Sequence, residues 1–192
     1  MKTTKFFIFI VFLIFVSCNI NENRLQEKVS FEIYETLAQN DVPYNLLEEL
    51  MKINILLDTD TLSPIIAYVH IDSILHFSRV VNDNVKFLKT AQPVDKEKKY
   101  FAIVAVKNQP DLNNSDIKKT KPNQKNVEIY FNLEGAIKWA VLTKNNIGKL
   151  IAFAIDNEIY TLPSISGEIK NGRAIVNGLD NEDTAIEISN SI

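Results

Sequence analysis

The chain contains a single cysteine, Cys18, among its 192 residues, so no intrachain disulfide can hold its fold. A chain of this length is long enough to bury a sizeable apolar core, and its stability must come from that burial. The formal net charge is −3, whereas affinity for nucleic acid depends mainly on clustered lysine and arginine. We therefore expect one medium domain or two small subdomains, and no nucleic-acid partner.

The N-terminal residues predict an export signal that ends at the cysteine. Met1–Lys5 carries two lysines, and Phe6–Val16 is an unbroken apolar run of eleven residues, which is typical of a secretory signal. As a helix this run would measure roughly 16 Å, against about 30 Å of bilayer hydrocarbon. The segment is therefore suited to targeting and is poorly matched to a permanent membrane span.

Residues 15–18, Phe-Val-Ser-Cys, resemble the bacterial lipobox, in which the cysteine is diacylated and becomes the new N-terminus. Phe15 departs from that pattern, which prefers leucine or another aliphatic residue. The resemblance implies a signal peptide at 1–17, lipidation at Cys18, a polar tether at 18–24, and a body anchored to the inner or the outer membrane and lying outside the cytoplasm. The alternative is an ordinary signal peptide, or a short uncleaved anchor, in which Cys18 is incidental.

Residues 25–107 are predicted to form an N-terminal α+β subdomain. Leu25–Ala38 favours a helix, and Asp41 can cap a second helix. The apolar stripe of this second helix is Leu46, Leu47, Leu50 and Met51. Strand-forming residues are concentrated in three later stretches, of which the first two predict a hairpin: Ile65–Ile71, Ser73–Val81 and Lys99–Lys107. Val85–Leu88 fits either another short strand or an irregular segment.

The polar stretch 108–126 contains Pro110 and Pro122 and is predicted to be a connector between subdomains. In the second subdomain, 127–192, Val127–Phe131 alternates like a strand and Asn132 can cap the helix that follows. The apolar face of that helix is predicted to be Leu133, Ile137, Ala140 and Val141, with Trp139 beside it.

Turn signals dominate the rest of this C-terminal half. Asp156-Asn157 follows the apolar strand Leu150–Ile155, and Asn171-Gly172 predicts a hairpin that joins Glu168–Lys170 to Arg173–Val176. Asp180 can cap a short last helix. Together these patterns predict an α+β fold with an antiparallel or mixed sheet, helices packed on one face, and a hairpin-rich C-terminal half.

Three segments of the C-terminal half resemble a known domain: Val127–Ala136, Leu142–Lys149 and Ala152–Ile159. They are similar, in the same order, to the head subdomain of the first periplasmic domain of SecD and SecDF, membrane subunits of the bacterial protein-export machinery. The similarity covers about Pro110–Ile188. Asn157 departs from the family's turn glycine and Leu162 from its alanine before a proline.

The resemblance implies a moving part that engages polypeptides emerging from the translocon, so unfolded or exported polypeptide and translocon subunits are the implied partners. SecD continues into membrane helices that use the proton gradient, whereas this chain ends at Ile192, so we expect an accessory and no motor. A binding site at a sheet edge or a groove between helix and sheet fits this role. Its candidate residues, which core packing explains equally well, are Tyr130, Trp139, Phe153, Tyr160 and Leu162.

The sequence contains no motif that indicates catalysis, a metal or a cofactor. His70 and His76 have no further ligand cluster nearby, and Asp58 and Asp60 lack the glycine and glutamate of a calcium loop. Ser115–Lys118 fits a Ser-x-x-Lys pattern without its partner motifs. We therefore predict a non-catalytic binding protein. An envelope structural or adaptor lipoprotein unrelated to export, or an envelope enzyme built around Asp58, Asp60 and His70, are the alternatives.

Overall fold

The computed structural model describes residues 28–52, 56–73 and 83–192. Within these ranges the helices are α1 (Tyr44–Lys52), α2 (Leu133–Asn145) and α3 (Glu182–Ser191). The strands are β1 (Phe31–Glu35), β2 (Leu56–Leu57), β3 (Ile65–His70), β4 (Val85–Thr90), β5 (Tyr100–Lys107), β6 (Leu112–Asn113), β7 (Ile117–Asn123), β8 (Asn126–Phe131), β9 (Ile151–Ile155), β10 (Glu158–Thr161) and β11 (Arg173–Val176).

The described strands form two sheets. The large sheet has the order β2-β3-β5-β4-β10-β9-β1-β6, and all its neighbours are antiparallel except β4 and β10. The small sheet has the order β11-β8-β7 and is antiparallel. The predicted α+β class with a mixed sheet is confirmed.

β1 occupies a position for which the sequence predicted a helix. The strand pairs antiparallel with β9 over its whole length, from Phe31 opposite Ile155 to Glu35 opposite Ile151. Its side chains are buried on both faces of the sheet, since Ile33 joins one apolar cluster and Tyr34 joins another. The helix predicted over 25–38 is therefore wrong at Phe31–Glu35, because a fully apolar partner strand far along the chain gives these residues a buried extended position.

The N-terminal half otherwise follows its sequence pattern. α1 buries Leu46, Leu47 and Leu50, while Met51, which the predicted stripe included, is 45% exposed. The strands expected over 65–71 and 99–107 are confirmed as β3 and β5, and of the two alternatives for 85–88 the structure has the strand, β4. The second arm of the predicted hairpin, together with His76, lies outside the described residues.

The polar stretch 108–126 contains a strand that the sequence did not predict. β7 pairs with β8 as one edge of the small sheet and contains Pro122. Proline and exposed lysines are tolerated on an edge strand and discourage pairing with a further strand. Before β7, the Asn113 side chain and Asp116 form a capping box around a short 3-10 turn.

Two turn predictions in the C-terminal half have different outcomes. Asp156 and Asn157 both have positive φ, at 49° and 66°, and connect β9 to β10 as predicted. The hairpin predicted at Asn171-Gly172 is wrong, because β11 pairs with β8 and residues 168–170 form no strand. The side chain of Thr143 instead accepts a hydrogen bond from the amide of Ile169 at 3.0 Å, which ties that segment to α2.

α2 is rotated relative to the face that its sequence predicts. Its buried residues are Gly135, Trp139, Leu142 and Thr143, whereas Leu133, Ile137 and Val141 are 82%, 60% and 53% exposed. The cause is a close approach at Gly135, where a Cβ atom would lie 2.4 Å from the carbonyl oxygen of Asp116. Only a residue without a side chain fits there, so the glycine face turns inward.

The largest apolar cluster lies between the small sheet, α2, α3 and one face of β1 and β9. Trp139 stands in this core with its ring centroid 5.8 Å from Phe131 and 5.9 Å from Phe153. A second cluster lies beneath α1, and a third lies on the other face of the large sheet. Of the helices in the described ranges, none has the length and apolar character that a membrane crossing needs.

Candidate binding groove at the edge of the small sheet

β11 forms an open edge of the small sheet. No strand of the described ranges pairs with its outer side. The amide of Phe131 donates to the carbonyl of Gly172 at 3.0 Å, and bonded pairs alternate along an antiparallel ladder. The backbone N–H and C=O of Ile175 therefore point away from β8, toward the open edge.

A groove of about 510 Å³ runs along this edge. One wall is β11 and the other is the segment 163–171, which follows β10. Trp139 and Phe153 lie at the buried base of the groove. The apolar side chains on the two walls are Pro163, Ile165, Ile169, Ala174 and Ile175.

Backbone hydrogen bonds hold the second wall in place. The carbonyl of Pro163 accepts from the amide of Ile151 at 3.1 Å, and the amide of Ile165 donates to the carbonyl of Lys149 at 3.0 Å. At one end of the groove, the Thr161 hydroxyl donates to the side-chain oxygen of Asn177 at 2.7 Å. The groove is therefore built between two ordered backbones, and one of them presents an edge with which no described strand pairs.

Trp139 contributes an unused hydrogen-bond donor. Trp139 is only 2% exposed. Its indole Nε1 is buried and has no acceptor among the described residues. A buried indole N–H without an acceptor is unfavourable, and such groups usually find a partner. The donor therefore lies unsatisfied and shielded in the core beneath the groove.

The outer face of the small sheet is positively charged and organised around Tyr130. The side-chain cations of Lys119 and Arg173 each lie 4.8 Å from the centre of its ring, and that of Lys121 lies at 5.9 Å. Its hydroxyl donates to Glu128 at 2.5 Å. This bond lowers the pKa of Glu128 and raises the pKa of Tyr130, so the carboxylate and the phenol are both held in their usual ionisation states.

The five residues that the sequence singled out fall in three places. Trp139 and Phe153 meet at the base of the groove. Tyr130 lies on the outer face of the small sheet, beneath the cations. Tyr160 is half-buried against the main core, where burial raises its pKa, and Leu162 is half-buried against the core on the other face of the large sheet.

Sequence reasoning missed most of the wall residues. The turn signal at Asn171-Gly172 indicated a strand at Arg173–Val176, but the position of this strand at an edge depends on its pairing with β8. Ile165 and Ile169 lie in an irregular segment without periodicity, so no pattern marked them as lining residues.

The residues considered for catalysis form no shared site. Asp58 and Asp60 accept backbone hydrogen bonds in the turn after β2, at 2.7 and 3.0 Å. His70 lies at the far end of β3 from that turn, with its ring 5.2 Å from that of Tyr100. The hydroxyl of Ser115 donates to Asn113 within the capping turn at 2.7 Å. No group of three or more potential metal ligands occurs in the described ranges.

Comparison with known proteins finds one family model, the SecDF P1 head subdomain, which matches residues 86–192. The protein translocase subunit SecD of Rhodothermus marinus is 31% identical over 112 residues, which make up 54% of this chain and 18% of that protein. The subunit SecDF of Thermus thermophilus is 40% identical over 63 residues, 33% of this chain and 9% of that protein. The chain thus spans less than a fifth of the length of either relative.

One solved structure found by the comparison is that of SecDF, described as a membrane component that enhances protein export. It has 16% sequence identity and a TM-score of 0.43, and the match covers 84% of this chain and 90% of that one.

Proposed function

The chain belongs to the SecDF P1 head subdomain family, and from this we propose that it acts as an envelope accessory in protein export that binds extended polypeptide segments in the groove along β11. The open edge of β11 above an apolar groove is the observation that supports this role. The proposal is one of binding, without catalysis and without a cofactor.

An extended segment can add to an open sheet edge through main-chain hydrogen bonds, while pockets take its alternate side chains. The outward N–H and C=O of Ile175 would supply the main-chain bonds. Side chains on the inward face of the segment would enter the groove toward Trp139 and Phe153. Because main-chain pairing is independent of sequence, such a site suits many different exported chains.

The opposite edge of the small sheet is a poor competitor for the same ligand. β7 carries Pro122 and the exposed residues Lys118, Lys119 and Lys121, which protect an edge against added strands. α3 also packs against β7, where the hydroxyl of Thr120 donates to the carbonyl of Ser189 at 2.6 Å. We therefore assign the binding edge to β11.

Substitution of Ile175 with proline is expected to weaken binding of an unfolded polypeptide at least tenfold. Proline removes the outward N–H, yet it interrupts no bond to β8, and edge strands tolerate proline. The measurement is titration of a reduced, carboxymethylated unfolded protein, followed by fluorescence anisotropy. Ile175→Val is the matched control, since it keeps the N–H and an apolar side chain and should bind like the wild type. Equal affinity of the proline variant and the wild type would contradict main-chain pairing at β11.

We also propose that Cys18 is lipidated and holds the body at the membrane outside the cytoplasm. Cys18→Ser is expected to shift the protein from the membrane fraction to the soluble envelope fraction, because the thiol to which the diacyl lipid would be attached is lost. The intact mass of the purified wild-type chain should show the acyl groups on a new N-terminal cysteine. A wild-type mass without acyl groups would contradict lipidation and would favour the alternative of an ordinary signal peptide.

The export role itself is tested by photo-crosslinking in the cells that make the protein. A photo-reactive residue at position 175 is expected to capture many exported chains or translocon subunits. The same residue at Val94, an exposed position in the turn between β4 and β5, is the control. Capture of one unrelated envelope protein would replace the export role with a dedicated adaptor role.

A further inference from the structure

An apolar stripe runs along the exposed side of α2 from its first residue to Val141. Leu133, Ile137 and Val141 follow one another at intervals of four residues, so they lie along one side of the helix, and all three are more than half exposed. Ala140 lies on the same side. Lys138, at the border of this stripe, is paired with Asp116 at 2.8 Å and with Glu134 at 3.0 Å, so the border carries no unbalanced positive charge there.

Cationic side chains lie at both ends of this apolar stripe. At its N-terminal end, Leu133 and Ala136 line a shallow depression together with the cationic residues Lys118, Lys119, Lys170 and Arg173. Lys170 pairs with Glu168 at 3.2 Å, and Arg173 and Lys119 lie over Tyr130. At the C-terminal end, Lys144 is exposed in the last turn, on the same side of the helix as Ala140 and Val141.

The stripe also lies close to the point where the N-terminal segment joins the body. The side chain of Asn114 donates to the carbonyl of Val29 at 3.0 Å. The same turn contains Asp116, whose carbonyl accepts from the amide of Asn132 at 2.8 Å at the start of α2. Ten residues lie between Cys18 and Val29, so the two are about 40 Å apart at most when the segment is fully extended.

We propose that the Leu133–Ile137–Val141 stripe and its flanking lysines and arginine form a docking surface for the anionic face of a phospholipid bilayer. An apolar helix face lies at the headgroup boundary while lysine and arginine side chains reach phosphate groups. The surface carries clustered cations on a chain whose net charge is −3, so this positive charge is local and complements an anionic surface. The position of the stripe beside the tether rests on the proposed lipidation of Cys18, which would keep a bilayer within reach.

The proposal predicts contact between α2 and lipid that depends on anionic headgroups. The full chain with Ile137→Trp is mixed with vesicles of pure phosphatidylcholine or with vesicles containing 30% phosphatidylglycerol, and both lipids carry brominated acyl chains. In the anionic vesicles, emission from the introduced indole is expected to fall at least twofold. The wild type, whose only tryptophan is the buried Trp139, should change little.

Two further variants make the result specific to the stripe. Val94→Trp places an indole at an exposed apolar position off the stripe and is expected to stay unquenched. Lys118→Glu combined with Lys119→Glu in the Ile137→Trp chain is expected to remove the quenching, and thermal melts check that each variant is folded. An introduced indole at 137 that stays unquenched in anionic vesicles, or that is quenched equally by neutral lipid, would overturn the proposal.

Flotation of the same samples separates this surface from the lipid anchor. A protein that does not float with neutral vesicles but is quenched in anionic ones would contradict the lipid anchor and support the docking surface. Flotation with both vesicle types but no quenching would support the anchor and overturn the docking surface. A protein partner would then be the occupant to test for the stripe.

Discussion

Replacing Trp139 with alanine is expected to lower the free energy of unfolding by about 3–5 kcal/mol, the usual cost of removing a large buried aromatic side chain. Trp139 is almost fully buried and is in contact with the rings of Phe131 and Phe153. Alanine would leave a cavity between α2, β8 and β9, beside the rings of Phe131 and Phe153. Chemical denaturation followed by circular dichroism measures the loss.

Ile137→Ala is the control on the same helix. Ile137 is exposed, so its truncation is expected to change stability by no more than about 0.5 kcal/mol. The two variants together test the rotation of α2, because the periodicity of the sequence alone places Ile137 on the buried face. A large loss at Ile137 with a small loss at Trp139 would contradict the orientation of the helix.

Gly135→Ala is expected to destabilise the protein by about 1–3 kcal/mol, the usual cost of forcing an extra methyl group into a filled space. In an open helix this change would raise stability by about 0.5–1 kcal/mol, since glycine is a poor helix former. Here the new Cβ would lie 2.4 Å from the carbonyl oxygen and 2.8 Å from the Cβ of Asp116. Both are part of a turn fixed by its capping box, so they cannot move aside cheaply.

Gly167→Ala provides the matched control for this substitution. The position that its new methyl group would take has no neighbouring atom of the described residues within 4 Å, and its φ requires no glycine. The free energy of unfolding of the Gly167→Ala variant should stay within about 0.5 kcal/mol of the wild-type value. If Gly135→Ala proved as stable as Gly167→Ala in the same denaturation experiment, the close contact between α2 and the Asp116 turn would be wrong.

Local sequence signals predicted the elements whose partners or caps are close in the chain. Asn132 begins α2 because its side chain accepts from the amide of Gly135 at 2.9 Å, a cap that residue type alone suggests. The turn at Asp156 and Asn157 follows from the tolerance of these residue types for positive φ. These features depend on contacts within a few residues, which a pattern can represent.

The errors arose where distant contacts decide the structure. β1 is a strand because β9, about 120 residues later, offers it a buried partner. α2 buries the face that contains Gly135 and Trp139. Leu133, Ile137 and Val141 form an equally regular apolar stripe, yet they are exposed. The choice between the two faces is made by the turn at Asp116, which no helical periodicity reveals.

The candidate groove was predictable only at its base. Trp139 and Phe153 are large apolar residues that the sequence already singled out, and they meet in the structure. The walls depend on the pairing of β11 with β8, which leaves the other edge of β11 without a partner strand among the described residues. The misassigned hairpin at Asn171-Gly172 would have paired that edge with residues 168–170, and so it concealed the site.

Hydrogen exchange at the backbone amide of Ile175 tests the central claim most directly. The full chain is measured with and without saturating reduced, carboxymethylated unfolded protein, and amides of β7 serve as the internal reference. We expect exchange at Ile175 to slow at least tenfold when the polypeptide is added, while the amides of β7 are unchanged. Unchanged exchange at Ile175 in the presence of bound polypeptide would contradict binding by strand addition at β11.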